Sequence, residues 1–336
     1  MPKLSFIVPV YNVQHLVEKC IQSITDQKIS EDRYEVLLIN DGSTDNSLEV
    51  IQNISKKHPN VVKVFSQKNS GLGATRNKGI NLAKGDYIWF VDSDDYLENQ
   101  LHKILKLLSC NTIDVLALNY NVVDTNGKFL SKGTYTNPNN KNNSITGAEF
   151  YLHNYVKSYS CMFIFRRNIF IQNQLRFKER INMQDSEIFP KIMHYTKRLM
   201  FFDVPVYNYV QHPNSFTNSN NPEVRFNYFK SIIEVKQSLY QFTQQNKISE
   251  ELKEGIALKQ NAIDKTIIDH ILFFNYEKQW FKKILLYLKA NDAYPFKYKA
   301  QGKFKYLKMA LNTAPYMSKL IIATFRKLKN ILHNNI

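Results

Sequence analysis

Three carboxylates stand within four residues at Asp92-Ser93-Asp94-Asp95, directly after the apolar run Tyr87–Val91. Acids this close repel one another unless a cation or the start of a helix offsets them. Hard oxygen ligands of this kind suit Mg²⁺ or Mn²⁺, which complete their shells with water and phosphate oxygens. If the backbone stays extended past Val91, Asp92 and Asp94 point the same way. The residues favour binding of a metal and a diphosphate, with helix capping as the plainer alternative. A further acid, Asp41, follows the run Glu35–Ile39 within Asn40-Asp41-Gly42-Ser43-Thr44-Asp45. Asp-Gly is a turn signal, and Thr44 or Asp45 can cap the next helix, yet an acid at the end of a buried strand can also hold a ribose hydroxyl or a base N–H. Arg76, in Ser70-Gly71-Leu72-Gly73-Ala74-Thr75-Arg76-Asn77, can meet a phosphate or pair with a carboxylate, and its neighbours leave both open.

The elements that would position these residues alternate along the first 125 positions. Apolar runs at Leu4–Val10, Glu35–Ile39, Val61–Phe65, Tyr87–Val91 and Asp114–Val123 read as strands. Between them lie helical patterns: Val13 to Ile24, Asn46–Lys57, Gly73–Ala83 and Glu98–Leu108. Near-continuous apolar strands alternating with helices predict an α/β domain with a mainly parallel sheet covered on both faces. In such a sheet ligands bind at the carboxyl ends of the strands, which is where the polar motifs fall. Residues 124–146 are polar and read as a hairpin or loop. Cys161–Arg166 and Leu199–Val204 read as later strands, with Met183–Tyr195 a short helix between them. A linker at Asn218–Asn221 and Pro222 divides the chain into domains at 1–217 and 218–336. The second carries helical patterns at about 223–246, 249–274 and 276–290, and a basic tail.

Composition narrows the classes. The chain has 336 residues, 43% of them hydrophobic, so a sizeable core is within reach. A formal charge of +16 points to an anionic partner. Three scattered cysteines, Cys20, Cys110 and Cys161, exclude a disulfide framework and a cysteine zinc site. No apolar window is long enough to span a bilayer, and the N-terminus lacks the marks of a signal peptide. The expected compartment is the cytoplasm. Gly71-Leu72-Gly73 is not a dinucleotide fingerprint, since it lacks a third glycine and does not follow the first strand, and no GxxxxGK[ST] phosphate loop occurs.

Four segments in this order and spacing, Val8–Asn12 (VPVYN), Asn40–Asp45 (NDGSTD), Asn69–Ile80 (NSGLGATRNKGI) and Phe90–Asp95 (FVDSDD), resemble the family 2 glycosyltransferases. The strong part of the resemblance covers about residues 4–110, with weaker matches to about 217. It implies the GT-A fold, a nucleotide-sugar-binding Rossmann-like domain, and inverting transfer of a sugar, usually from a UDP-sugar, to an acceptor hydroxyl. On that resemblance Pro9, Tyr11, Asn12 and Asp41 line the base and ribose pocket, with Arg76, Asp92 and Ser93 at the nucleotide. Asp94 ligates the Mg or Mn cation on the diphosphate, and His212 is a further metal ligand or a solvated loop histidine. Met183-Gln184-Asp185-Ser186-Glu187 is similar to the family's Glu-Asp pair that opens a helix and carries the base. Gln184 replaces the usual Glu, Asp185 is the aligned carboxylate, and Glu187 is the runner-up.

Beyond Asp292 no acid occurs, while nine lysines and arginines do. Met317, Ile321, Phe325, Leu328 and Leu332 fall on one helical face, with Lys319, Arg326 and Asn330 opposite. A basic amphipathic helix suits peripheral contact with an anionic membrane, or it packs on the domain with a solvated basic face. Membrane contact at the inner face fits a glycan acceptor carried on a lipid, as in surface polysaccharide synthesis. Transfer onto protein or a teichoic-acid-like polymer is the alternative within enzymes. A non-catalytic basic protein binding membrane or nucleic acid is the alternative outside them. No nucleic-acid motif appears, so no nucleic-acid partner is expected.

Overall fold

The computed structural model describes residues 1–110, 112–138, 144–212, 221–245, 247–273, 278–296 and 303–318. The chain forms two compact units, one of Met1–Asn218 with Lys247–Gly255, the other of Ser219–Asn246 with Ile256–Ile336. In the first unit, strands and helices alternate as β1 (Leu4–Val10), α1 (Val17–Thr25), β2 (Tyr34–Asn40), α2 (Ser47–Lys57), β3 (Val62–Ser66), α3 (Leu72–Leu82) and β4 (Tyr87–Phe90). Next come β5 (Tyr96–Leu97), α4 (Leu101–Cys110), β6 (Val115–Val123), β7 (Phe129–Gly133), β8 (Ser144–Ile145) and α5 (Gly147–Asn154). The unit continues through β9 (Phe163–Arg166), α6 (Arg167–Gln172), α7 (Gln184–Tyr195) and β10 (Leu199–Val210).

Ten strands make one sheet in the order β3-β2-β1-β4-β9-β6-β10-β5, with β7 beside β6 and β8 beside β10. Pairing is parallel from β3 through β4 and again between β6 and β10. Strand β9 enters between β4 and β6 antiparallel to both. Its Phe163-Ile164-Phe165 is buried on both faces, the pattern of any central strand, so apolar content alone does not reveal its direction. Strand β10 runs six residues past the expected Val204, because the sheet absorbs Pro205 where its register against β6 shifts, between Phe202 and Tyr207.

The core of this unit is aromatic. Phe163 and Phe189 pack closely with tilted rings, with Phe150 edge-on to Phe163, and Phe90, Phe165, Phe170 and Phe177 form the adjoining layer. Helix α3 lies so close to β1 that a Cβ at Gly79 would meet Ile7 at 2.3 Å, so any larger residue would push the helix off the sheet. From β1 the chain moves to β2 and β3 on one side and to β4 on the other. The crevice beyond the carboxyl ends of β1 and β4 is therefore the switch point where wound sheets take ligands. Pairing of β1 with β4 ends at Ile7 opposite Phe90. Pro9, which has no N–H to give, falls just past that last pair.

The second unit contains α8 (Pro222–Gln245), the later part of α9 (Glu250–Phe273), α10 (Lys278–Ala290) and α11 (Lys303–Thr313). Phe229, Ile232, Ile233 and Leu239 of α8 are buried, as are Ile263, Ile267 and Ile271 of α9 and Phe281, Ile284 and Leu288 of α10. Each set keeps the helical spacing of one face. No described helix is long and apolar enough to cross a membrane. The linker residues Asn218–Asn220 and most of the expected basic amphipathic tail lie outside the described residues.

His270 of α9 packs on Tyr228 and Phe229, and burial, then the charge of Arg225, lower its imidazole to about 4. A base held neutral by the fold adds stability above its unfolded value of about 6.5, and that stability is lost as pH falls through the folded value. The thermal midpoint should thus drop between about pH 6.5 and pH 4 in the wild type, and His270→Phe should drop by about 3 °C less over that window. Parallel curves would show that His270 does not carry this sensitivity.

Candidate active site

Asp41 lies just past β2, where its N–H continues the ladder to Val10 O at 2.9 Å. Its carboxylate is buried and accepts three bonds at 2.8 Å, from Gln67 Nε2 and Ser70 N on Oδ1 and Gly71 N on Oδ2. Those bonds fix the loop that leads into α3. A carboxylate has about four acceptor positions, so one is left for an incoming donor group. Gly42 follows at φ 70°, a conformation favouring glycine, and a Cβ there would meet Asn69 N at 2.8 Å. The capping role belongs to Asp45, which accepts from Ser47 N at 3.0 Å and Gln14 N at 3.1 Å.

Asn12, at φ 53°, ties the end of β1 to the same loop: its N–H donates to Ser43 Oγ and its Oδ1 accepts from Thr44 N at 2.8 Å. Next to it the ring of Tyr11 is exposed at the rim of the crevice, while Pro9 is buried beneath. Ser93 is buried too.

The acidic motif does not stay extended. The chain turns at Ser93-Asp94, closed by Asp95 N donating to Asp92 O at 3.1 Å, so the three acids diverge to three partners. Asp92 accepts from Arg76 Nη2 at 3.0 Å. Asp94 Oδ2 lies 3.5 Å from His212 Nε2. Asp95 is buried and accepts from Tyr207 Oη and Val210 N, both at 2.7 Å. Tyr207 Oη in turn accepts from Asp92 N at 3.1 Å, so one buried tyrosine holds both ends of the acidic turn. Burial, then Asp92 and Asp94, push Asp95 up to about 8 against these hydrogen bonds.

Local sequence marks neither Asp95 nor Tyr207 as a site residue, because their pairing joins positions 112 residues apart. Their joint effect is to hold Asp94 and, two residues beyond Val210, His212 against each other. Tyr207→Phe should cost about 2 kcal/mol in urea unfolding, because it leaves a buried carboxylate oxygen and the Asp92 N–H short of a partner. A loss below about 0.5 kcal/mol would show that the hydroxyl does not brace the turn.

Arg76 is the centre of the arrangement. It is 1% exposed, lies over the rings of Phe90 and Phe177, and spans two acids 93 residues apart in sequence, donating from Nη2 to Asp92 and from Nη1 to Asp185 Oδ1 at 2.7 Å. Burial opposes its charge, but Asp185 and then Asp92 outweigh that and hold the guanidinium protonated. Asp185 opens α7 behind Met183, which turns through φ 61°. Its Oδ1 also accepts from Ser160 Oγ at 2.6 Å. Both anchoring bonds fall on Oδ1, while Oδ2 has no partner among the described residues and the side chain is partly open to solvent. Glu187, two residues on and so directed to the other side of the helix, is buried and paired with Lys191. It is thus poorly placed to meet a ligand.

The Asp94–His212 pair passes a chemical test for a divalent cation. Its imidazole Nε2 is buried without a hydrogen-bond partner among the described residues, and it faces a carboxylate oxygen. Burial, then Asp92, raise the Asp94 carboxyl. No cluster of three or more histidine, cysteine or acidic side chains able to hold a metal occurs among the described residues. The remaining ligands would have to be water and phosphate oxygens.

A family model described as Glycosyl transferase family 2 matches residues 5–173. The chain is similar to the uncharacterized glycosyltransferase EpsJ of Bacillus subtilis, with 30% identity over 226 residues, 65% of this chain and 63% of that protein. It is also similar to the poly(ribitol-phosphate) beta-glucosyltransferase of Bacillus spizizenii, at 43% identity over 99 residues, which is 29% of this chain and only 16% of that protein. Among solved structures, S. aureus TarS 1–349 in complex with UDP-GlcNAc matches with a TM-score of 0.67 at 21% identity, covering 84% of this chain and 79% of that 1–349 chain. The mannosyltransferase PcManGT from Pyrobaculum calidifontis, in complex with GDP-Man and Mn²⁺, matches with a TM-score of 0.53 at 16% identity, covering 94% of this chain and 88% of its own. At these identities the structural likenesses show a shared fold.

Proposed function

The chain belongs to glycosyl transferase family 2, and from that premise we propose that it is an inverting enzyme moving a sugar from a UDP-sugar to an acceptor hydroxyl. The observation that carries the reading is the bridge made by Arg76. One buried guanidinium holds Asp92, in the acidic motif, and Asp185, with an open carboxylate oxygen, on the same crevice. In this reading residues 1–217 form the catalytic GT-A domain and 218–336 a helical C-terminal region. The UDP-sugar donor is supported by the likeness to UDP-GlcNAc-bound TarS.

Tyr11 stacks on the base, and the open acceptor position of Asp41 takes a base or ribose donor. Asn12 keeps that loop in place, with Pro9 beneath and Ser93 beside the diphosphate. The acceptor hydroxyl docks against Asp185 Oδ2 and attacks the anomeric carbon from the face opposite the nucleotide. As the new C–O bond forms, the bond to the diphosphate breaks with its electron pair, the hydroxyl proton passes to Asp185, and configuration inverts. Arg76 fixes Asp185 for this step and screens it from Asp92. Asp94 and His212 would hold a Mg²⁺ or Mn²⁺ ion, which supplies charge neutralisation on the departing diphosphate.

The acceptor in this reading is a lipid-linked glycan of bacterial surface polysaccharide synthesis, with the enzyme cytoplasmic and peripheral on the inner face of the membrane. A second acceptor, a teichoic-acid-like polymer, is favoured by the match to the poly(ribitol-phosphate) glucosyltransferase. The test is a panel of nucleotide-sugars read by nucleotide release, with Mn²⁺, with Mg²⁺ and with chelator. Release of UDP from one UDP-sugar, abolished by chelator, is expected. Turnover of a guanosine donor in preference to every UDP-sugar, or full turnover in chelator, would overturn the corresponding part.

A further inference from the structure

Charge is divided unequally between the two units. Ser219–Asn246 with Ile256–Ile336 holds 18 lysines and arginines against six acids, and so carries +12 of the chain's +16. A surplus that large on a helical unit calls for an anionic partner, but does not by itself choose between a bilayer and a soluble polyanion.

Helix α11 makes the choice. Its inner side is fastened: Leu311 is fully buried, Tyr294 Oη donates to Leu311 O at 2.6 Å, and Asn312 exchanges hydrogen bonds with the backbone of Phe296 at 2.9 and 3.0 Å. Ala314 N closes the last turn on Ala310 O, the helix breaks before Pro315, and a further helical turn follows in which Ser318 N donates to Ala314 O. The outer side exposes Tyr306, Met309, Tyr316 and Met317, each between 48% and 67% accessible, with the polar Lys305 and Thr313 among them. At 100° per residue Lys305, Tyr306, Met309 and Thr313 of α11 fall within about a third of the helix circumference, and Tyr316 and Met317 follow on the turn after Pro315. Tyr316 packs edge-on to Phe281 of α10, and from α10 Lys282, Lys283, Leu286 and Lys289 are exposed. A duplex or polyphosphate, with no free base to stack, gains little from exposed aromatic rings and thioethers, whereas a headgroup layer receives both the ammonium groups and the apolar tips.

We propose that the outer side of Lys303–Thr313 and its continuation to Ser318 is a docking surface for an anionic lipid bilayer. Tyr306, Met309 and Met317 enter the headgroup boundary, and the exposed Lys282, Lys283, Lys289 and Lys305 meet acidic headgroups. Met317 apart, the surface sits in residues outside the expected tail helix, of which only Met317 and Ser318 are described. It does not depend on the identity of donor or acceptor.

The test is sedimentation of the full chain with vesicles of phosphatidylcholine containing about 30% phosphatidylglycerol, against pure phosphatidylcholine, in about 0.1 M salt. The comparison is with the triple variant Tyr306→Gln, Met309→Gln, Met317→Gln, which keeps every charge and changes only exposed positions. Wild type is expected to partition onto the anionic vesicles, and the triple variant to do so about tenfold less while binding UDP as before. Equal partitioning of the two proteins, or none by wild type, would overturn the proposal. So would equally tight binding of both to double-stranded DNA at the same salt, since that would assign the charge to a soluble polyanion. No arm needs a nucleotide-sugar turnover, so failure here leaves the transferase reading standing, and the reverse.

Discussion

Asp185→Asn should lower sugar transfer by about 10³-fold and leave UDP-sugar binding within about threefold of wild type. The substitution keeps the shape of the side chain. Arranged with its amide oxygen in the place of Oδ1, it still accepts from Arg76 Nη1 and Ser160 Oγ. What it loses is the second oxygen, the one with no partner among the described residues, and with it the capacity to take up a proton. An anchoring residue would show the opposite split, with weakened binding or a loosened fold and rate following from both. Steady-state rates combined with donor titration separate the cases. Transfer within about tenfold of wild type would remove Asp185 from the base role.

Arg76→Met should cost about 3 kcal/mol of unfolding free energy and abolish transfer together. Met matches much of the aliphatic stem over Phe90 and Phe177, so packing against the rings is largely kept. The loss comes from Asp92 and Asp185, which are left facing each other with no cation between them. Arg76→Lys sharpens the test. One ammonium restores the charge but cannot span both carboxylates as the planar fork does, so stability should recover in part while transfer stays low. Urea unfolding and rate measurement on both variants give the comparison. A Met variant as stable as wild type would mean that the two acids do not depend on the bridge.

Much of the catalytic half could be read from sequence because the signals there are local. An apolar run such as Tyr87–Phe90 needs burial on both faces wherever it sits, and the motifs at its end then follow from sheet geometry. What could not be read depends on contacts across the fold. Arg76 was open between phosphate and carboxylate, and the choice is made by Asp185, 109 residues away. Asp92 and Asp94 would point the same way only in extended backbone, and the turn braced by Tyr207 and Asp95 sends them to different partners. Asp41 was read as a ribose or turn residue, and most of its capacity goes to Gln67, Ser70 and Gly71, donors that no local pattern pairs with it. The two-residue strand at Tyr96–Leu97 is too short to leave a periodicity at all.

The central claim is that a cation held through Asp94 and His212 anchors a sugar nucleotide opposite Asp185. Its most direct test is calorimetric titration of UDP into the wild type and into Asp94→Ala, each with Mn²⁺ and with chelator. Wild type should bind UDP about tenfold or more weakly in chelator, and Asp94→Ala should bind weakly with or without metal. Equal UDP affinity in all four titrations would contradict it.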